Sequence, residues 1–562
     1  MKRLLSAVAL ASTIILATAT SALGAGAAPV RVSHGDPFPG CRLGGNAFGA
    51  VNYRSAEVEP WIADNPASVN NLIGTWQQDR WSDGGAKGQV ASWTFDGGRT
   101  WGQTAQPFTR CAQPFYETKV LQYERTSDPW VSIGPDGTAY AISLPFDGDF
   151  IRNGMGVAVS HDGGRTWVHQ QDIDPLIARP DTFNPTDDKE SVTADPVHPG
   201  WAYAVWDQLQ DVFPPNCPAA ARAAVRLGHD TPRHKPGRAA PSGAAALTPC
   251  GVTVPTFFSR TRDGGKTWSR PVPIVDTGFN EATIGNAIVV NRQTGTLYDF
   301  FNFNNAAGEN NIEMVVSTNR GDSWSKPIYV QRLFTTAEKR VATCACGVVF
   351  PGDETKPLRT GDTIPAFAID PNHGQLYVVW QDGRPNAFQN DMLLASSSID
   401  GGMTWSAPKL VNPPGDKAAF TGAVTVNDRG EVGILYYDFT PPLTSPDRLM
   451  TDTWFTTAPG PSLDFGPRRL AGGPFNMEAA PIARGWFTGD YMGLTAKVPA
   501  LQDESGNQQG SQSGDEEPGG GFVSLFVMSN CRSNSCAAQG SPDGTPVGPD
   551  STDAFSNRRS GG

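Results

Sequence analysis

Thr94-Phe95-Asp96-Gly97-Gly98-Arg99-Thr100-Trp101 is written, with small changes, at five places in the chain. Residues 160–167 read SHDGGRTW, 261–268 TRDGGKTW and 398–405 SIDGGMTW. Residues 317–324 read STNRGDSW, a worn copy with Asn319 where the others carry Asp. A short motif kept at separated places marks one supersecondary unit used repeatedly. Each copy reads as a hairpin turn. The Asp carboxylate can accept backbone N–H bonds of its own turn, the glycines supply positive φ at no steric cost, and the Ser/Thr hydroxyls close further local bonds. The Trp then opens a strand and buries its ring. This is structural chemistry, and no catalytic role is expected of these aspartates.

Upstream of each copy lie apolar, β-branched segments. In the first unit they are 60–64, 72–77 and 89–94; in the second 129–133, 138–143 and 156–160; in the fifth 365–370, 376–380 and 392–397. Four short strands per unit, with turn signals between them, spell a propeller blade. A sixth unit (422–427, 432–437, 453–457) has Ala458-Pro459-Gly460 where the repeat should be. Two further strand-like pieces, 489–496 and 521–528, would complete a ring with N-terminal residues 47–54. The expected fold is an all-β propeller of six or seven four-stranded antiparallel blades, with seven favoured by this arithmetic.

The pattern Ser/Thr-x-Asp-x-Gly-x-Thr/Ser-Trp resembles the Asp-box of sialidase-like β-propellers (BNR repeats). Sialidases usually have six blades, so the resemblance and the strand arithmetic point to different counts.

Lys2 and Arg3, the apolar run 4–22 and Ala25-Gly26-Ala27 read as a secretory signal peptide over 1–27. No later stretch is apolar enough to span a membrane. The expected product is a secreted, extracellular or periplasmic protein. The propeller is expected over 28–536, with loop insertions at 210–252 and 502–521, and a disordered tail over 537–562. Eight cysteines in an exported chain suggest disulfides. Local pairings would be Cys41 with Cys111, Cys217 with Cys250, and Cys531 with Cys536. A bridge within Cys344-Ala345-Cys346 would be strained. The net charge of −12 and the lack of a basic stripe with interleaved aromatics exclude a nucleic-acid partner.

Propeller geometry locates the chemistry. Residues just before first strands and just after second strands share one face, opposite the repeat turns. Glu59, Asp128, Glu190, Glu281, Asp362 and Asp490 stand before first strands; Asp79, Asp147, Asp207, Asp299, Asp382 and Asp438 stand after second strands. Crowded carboxylates raise one another's pKa, and a glycosidic bond needs one protonated and one ionised carboxyl. Loops on a rigid scaffold favour ligand sites.

The sialidase resemblance implies further roles. Sialidases grip a sugar carboxylate with an Arg cluster, use an Asp acid/base and a Tyr nucleophile assisted by Glu. At the family's Arg-Ile-Pro position this chain has Val58-Glu59-Pro60, so the first Arg is missing. Gln78-Asp79-Arg80-Trp81-Ser82-Asp83-Gly84-Gly85 is similar to the family's next loop, which makes Arg80 a binding residue and Asp79 or Asp83 the acid. Gln381-Asp382-Gly383-Arg384 repeats that wording in the fifth unit. Tyr491 sits late in the chain as the nucleophilic Tyr does, with Glu281 as its partner. Arg340 and Arg484 are candidate cluster members by position. Substrate binding is therefore expected of Arg80, Glu59, Asp128, Asp207, Asp382, Arg384, Arg340 and Arg484. The expected function is a glycan-directed exo-glycosidase of sialidase type. The alternative is a non-catalytic propeller that binds glycan or protein at the same face. A monomer is expected. No cofactor or metal is expected, although the same acids could hold a structural calcium ion.

Overall fold

A computed structural model describes residues 28–45, 49–178, 185–213, 216, 250–336, 348–350, 353–413, 418–439, 449–497, 520–530 and 552–560. The signal segment 1–27, Arg340, Cys217, Cys344, Cys346, Cys531, Cys536 and the insertion 502–521 up to residue 519 lie outside them.

Nearly every described element is a strand, and the strands form antiparallel meanders. The first meander is Glu57–Asp64, Leu72–Arg80, Ala86–Thr94 and Gly102–Ala105. The second is Arg125–Ile133, Ala139–Phe146, Gly156–Ser160 and Val168–Asp172. The third is Pro185–Ala194, Ala202–Val212, Thr256–Thr261 and Val272–Val275. Glu281–Val290, Leu297–Asn304, Asn310–Ser317 and Ile328–Leu333 follow. Then come Ala366–Ile369, Leu376–Asp382, Met392–Ser398 and Lys409–Leu410. The next is Ala419–Val426, Glu431–Phe439, Met450–Pro459 and Arg469–Asn476. The last joins Gly493–Ala496, Gly521–Ser529 and Thr552–Ser560 to Val30–Arg31 at the other end of the chain.

First strands of successive meanders touch in chain order, and Gly493–Ala496 touches Glu57–Asp64, closing the circle. The core lies between neighbouring sheets. Tyr140, Ile142 and Val157 of the second meander pack with Val192, Ala204 and Trp206 of the third. Leu525 and Ala554 pack with Leu72, Trp76 and Val90 across the closure. A circle of radial sheets around a common axis is a β-propeller.

Two expectations need correction here. The tail assigned to disorder contains the strand Thr552–Ser560, and this strand with Val30–Arg31 closes the ring, in place of residues 47–54. The strand is polar, yet Thr552 through Asn557 are buried because it lies between two other strands. The insertion expected at 210–252 is partly sheet. Gln210, Asp211 and Val212 pair with Gly251–Val254. Cys41 and Cys111 form the expected disulfide. Cys250 is disulfide-bonded.

The eight-residue repeats join third to fourth strands as tight turns. Asp96 accepts the backbone N–H groups of Arg99 and Thr100, each at 2.9 Å, and the hydroxyls of Thr94 and Thr100 at 2.7 and 2.6 Å. Burial pushes this carboxyl up, but the bonds from Thr100 and Thr94 outweigh it and hold the pKa at about 2.

Candidate functional site

Five first strands share one irregularity. Each is interrupted by a β-bulge, between Val58 and Trp61, Ser127 and Trp130, Asp188 and Ser191, Ile284 and Ala287, and Phe420 and Ala423. The bulged residue has positive φ in every case: Glu59 (54°), Asp128 (51°), Lys189 (48°), Gly285 (75°) and Thr421 (51°). A bulge re-aims a side chain, and a non-glycine residue at positive φ costs on the order of 1–3 kcal/mol. Only Gly285 adopts it freely. These acids therefore lie within the first strands, where the sequence placed them just ahead.

Three of the bulges converge. Lys189 Nζ lies 3.0 Å from Glu59 Oε1 and 2.9 Å from Asp490 Oδ2, and pairs also with Asp128. Arg359 grips both oxygens of Asp490, with Nε 2.9 Å from Oδ1. Gln77 donates to Glu59 and accepts from Arg80 Nη1 at 2.6 Å. Burial opposes the Lys189 ammonium, but Asp128, Asp490 and Glu59 outweigh it and hold its pKa well above the ordinary value. Burial raises the Asp490 carboxyl; Arg359 and Lys189 reverse that and hold it well below the usual range. For Glu59, burial and the Asp128 charge prevail over Lys189, and its pKa is pushed up to about 7.

Glu59, Asp128 and Lys189 of this cluster line a cavity of about 110 Å³. Arg80, Arg359 and Arg484 line it, as do Phe146, Phe150, Asp83, Asp187 and Asp188. Burial lowers the pKa of Arg80, and the nearby Arg359 lowers it further. Arg484 is lowered in the same way, by burial and then by Arg359. Three guanidiniums thus line one small cavity, with Arg359 within electrostatic reach of each of the other two.

A second cavity of about 340 Å³ runs along the axis, lined by residues of all the first strands named above. Lys189 borders both cavities. Trp61 and Trp130 stack at 3.4 Å in the axial one, with Tyr491 edge-on to each. Glu190 lines it too; both its carboxyl oxygens are buried without a hydrogen-bond partner.

The sequence candidates distribute as follows. Glu59, Asp128, Arg80, Asp83 and Arg484 come together at the smaller cavity. Asp83 is held by Arg125 Nη1 at 2.7 Å. Asp79 is buried away from the cavity, accepting from Lys87 Nζ and the backbone N–H of Ser55, each at 2.8 Å. Tyr491 lines the axial cavity and donates to the carbonyl of Pro129 at 3.2 Å. Glu281 does not stand beside it. It accepts from the backbone N–H of Gly278 at 2.7 Å, a turn cap. The carboxylates whose charge bears on Tyr491 are Glu59, Asp128, Glu190 and Asp490, which with burial hold its hydroxyl well above the ordinary value. Asp207 accepts from Thr283 Oγ1 at 2.7 Å and from the backbone N–H of Gly285 at 2.9 Å, so it braces the neighbouring bulge. Asp382 accepts from Trp380 at 3.0 Å and from Arg384 Nη2 at 2.6 Å. The shared wording Asp79-Arg80 and Asp382-Gly383-Arg384 therefore serves different ends: one Asp binds its Arg, the other binds a Lys. Arg340 lies outside the described residues.

Lys189, Arg359 and Gln77 escaped the sequence. Lys189 was findable, because it holds the bulge position that Glu59 and Asp128 hold in their strands. Nothing local marks Arg359, which follows the strand Asp353–Leu358. Among the described residues no three His, Cys, Asp or Glu side chains are arranged to hold a metal ion, and no helix is long and apolar enough to cross a membrane.

The sequence matches no protein-family profile and no curated protein. Among solved structures it is similar to the α-L-arabinanase of Penicillium chrysogenum complexed with arabinobiose, at 12% identity over 73% of this chain and 98% of that one, TM-score 0.41. It is similar to the Hadza microbial sialidase Hz136 at 16% identity over 68% of this chain and 64% of that one, TM-score 0.38. A protein of unknown function from Dyadobacter fermentans matches at 12% identity over 91% of this chain and all (100%) of that one, TM-score 0.41.

Proposed function

We propose that this chain is a secreted, monomeric, glycan-directed propeller of seven blades, and that its smaller cavity takes a sugar bearing a carboxylate. One observation carries this: Arg80, Arg359 and Arg484 line the same 110 Å³ cavity, with Arg359 within reach of the charge of the other two. Asp490 already holds Arg359, and a planar carboxylate matches the guanidinium fork of the arginines beside it. Phe146 and Phe150, stacked at 5.1 Å on the wall, offer an apolar surface to a sugar ring.

Hydrolysis of the glycosidic bond is the catalytic form of this proposal, with Glu59, half protonated near neutral pH, as the acid. Non-catalytic binding is favoured by a separate observation. Tyr491, the nucleophile that the sialidase resemblance implies, lines the axial cavity instead, its hydroxyl on the Pro129 carbonyl.

The test is calorimetric titration of the mature protein with N-acetylneuraminic acid, glucuronic acid and their neutral counterparts, beside turnover of a fluorogenic sialoside. An acidic sugar should bind, its neutral counterpart should not, and Arg484→Ala should weaken binding about tenfold or more. Turnover would establish the hydrolase. Equal affinity for acidic and neutral sugars, or none for either, would overturn the assignment.

A further inference from the structure

The cavity that binds the sugar carboxylate must also meet its hydroxyl, ring and glycosidic oxygens, and these need donors. Three carboxyls around the cavity are already engaged: Asp128 pairs with Lys189 and Asp83 with Arg125, while Glu59, also paired with Lys189, is the acid reserved for the glycosidic oxygen. Asp187 is different. It lines the same cavity and is fully buried. Its Oδ1 accepts from Gln208 Nε2 at 3.0 Å, and its Oδ2 has no hydrogen-bond partner. Its backbone N–H is fixed on Asn153 Oδ1 at 3.1 Å.

We infer that Asp187 is a neutral carboxylic acid whose Oδ2–H donates a hydrogen bond to an oxygen of the bound sugar. This rests on the proposal that the cavity binds an acidic sugar.

The surroundings of Asp187 explain why it keeps a proton. The side-chain amide of Gln208 also donates to Asp174 Oδ2 at 3.1 Å, so one amide bridges two carboxyls. The Gln208 carbonyl oxygen is taken by Gln210 at 2.7 Å, which leaves the amide nitrogen facing the acids. Trp206, which donates to Asp174 at 3.3 Å, also donates toward Asp187 and, like Gln208, works against the effect of burial there. Behind Asp174 stands Asp172, bound by the Tyr123 hydroxyl and near Arg152. Asp188 and Arg484 flank the cavity side. Burial is the largest influence on Asp187, with the charges of Asp174 and Asp172 adding to it, and together they hold its pKa well above the ordinary range. Two further carboxyls and no bonded cation leave the neutral form as the low-energy state. A buried donor aimed at an acceptor gives discrimination, because a ligand lacking that oxygen leaves the donor unpaired.

The experiment compares wild type, Asp187→Asn, Asp187→Ala and Arg484→Ala, each checked by thermal unfolding. The infrared difference between wild type and Asp187→Asn at neutral pH should contain the C=O stretch of a protonated carboxyl. Titration with N-acetylneuraminic acid and glucuronic acid should show Asp187→Ala weakened about tenfold, roughly one hydrogen bond, while Asp187→Asn, whose amide still donates, stays within about threefold. No protonated-carboxyl band, or an Asp187→Ala protein that binds as well as wild type while Arg484→Ala does not, overturns the role of Asp187 and leaves the acidic-sugar assignment standing. Failure of wild type to bind either acid removes both.

Discussion

Lys189 Nζ lies 3.0 Å from Glu59 Oε1, although the two residues are 130 positions apart and belong to different meanders. Each reaches the axis from a bulge at positive φ. The ion cluster therefore does two jobs: it brings Glu59, Asp128 and Lys189 to the lining of the smaller cavity, and it ties the first, second, third and last meanders together through Glu59, Asp128, Lys189 and Asp490.

Lys189→Met should be strongly destabilising, because it leaves buried carboxylates without their shared counter-charge. The expected loss is about 3–5 kcal/mol in urea unfolding at neutral pH. Adding Glu59→Gln and Asp128→Asn to it should restore much of that loss, since the stranded charges go too. A triple variant no more stable than Lys189→Met would show that packing of the lysine stem, and not charge, is what the cluster contributes.

The worn repeat supplies a second test. Asn319 Oδ1 accepts the backbone N–H of Ser323 at 2.9 Å, and its Nδ2 donates to Ser323 Oγ at 2.8 Å. In the intact copies an ionised Asp accepts from both groups, as Asp400 does from Thr404. Asn319→Asp should therefore stabilise the protein by about 0.5–1 kcal/mol at neutral pH. The folded pKa of such an Asp is depressed, to about 2 for Asp400 through its Thr404 and Ser398 bonds. The gain should be present above the unfolded value of about 4 and vanish as pH falls toward 2. Thermal unfolding at pH 7 and pH 2.5 reads both limbs, and a gain that persists in acid would rule out the charge as its source.

How far the sequence foretells this arrangement depends on which residues carried a local signal. The repeat turns were legible because Asp, Gly and Trp each have one mechanical reason to stand where they do. Strand starts are countable once the repeat is known, which singles out Glu59 and Asp128, although both sit at a bulge inside the strand and not ahead of it. Lys189 hid among Asp187, Asp188 and Glu190, where a lone lysine reads as a solvated charge. Its burial comes from three carboxylates on other meanders, which no local window contains. The strand Thr552–Ser560 hid for a related reason. Its residues are mostly polar, and its burial comes from Gly521–Ser529 on one side and Val30–Arg31 on the other.

Asp207 gives the clearest pH dependence. Burial raises its pKa to about 8 against the bonds from Thr283 and Gly285. The folded protein thus binds a proton that the unfolded chain, with a value near 4, has released. Its contribution is full below about pH 4 and is lost as pH rises toward 8, with a slope of at most about 1.4 kcal/mol per unit. Asp207→Asn, which cannot ionise, should flatten that part of the stability curve between pH 5 and 8. Urea unfolding across this range measures it, and parallel curves for variant and wild type would place the titration elsewhere.

Tyr491→Phe separates the geometry from the sialidase resemblance. The hydroxyl donates to the Pro129 carbonyl at 3.2 Å, and the ring packs edge-on against Trp61 at 6.1 Å and Trp130 at 5.5 Å. Removing the oxygen keeps the ring packing and deletes one partly buried hydrogen bond, so stability should fall by about 1 kcal/mol. Because Tyr491 faces the axial cavity and not the one lined by Arg80, Arg359 and Arg484, affinity for an acidic sugar should stay within about twofold. If the protein turns over a sialoside and this variant abolishes turnover while binding is kept, Tyr491 reaches the substrate by a movement that the present arrangement does not contain, and the axial cavity joins the active site. Unchanged turnover, by contrast, assigns the chemistry to the carboxyls around Lys189.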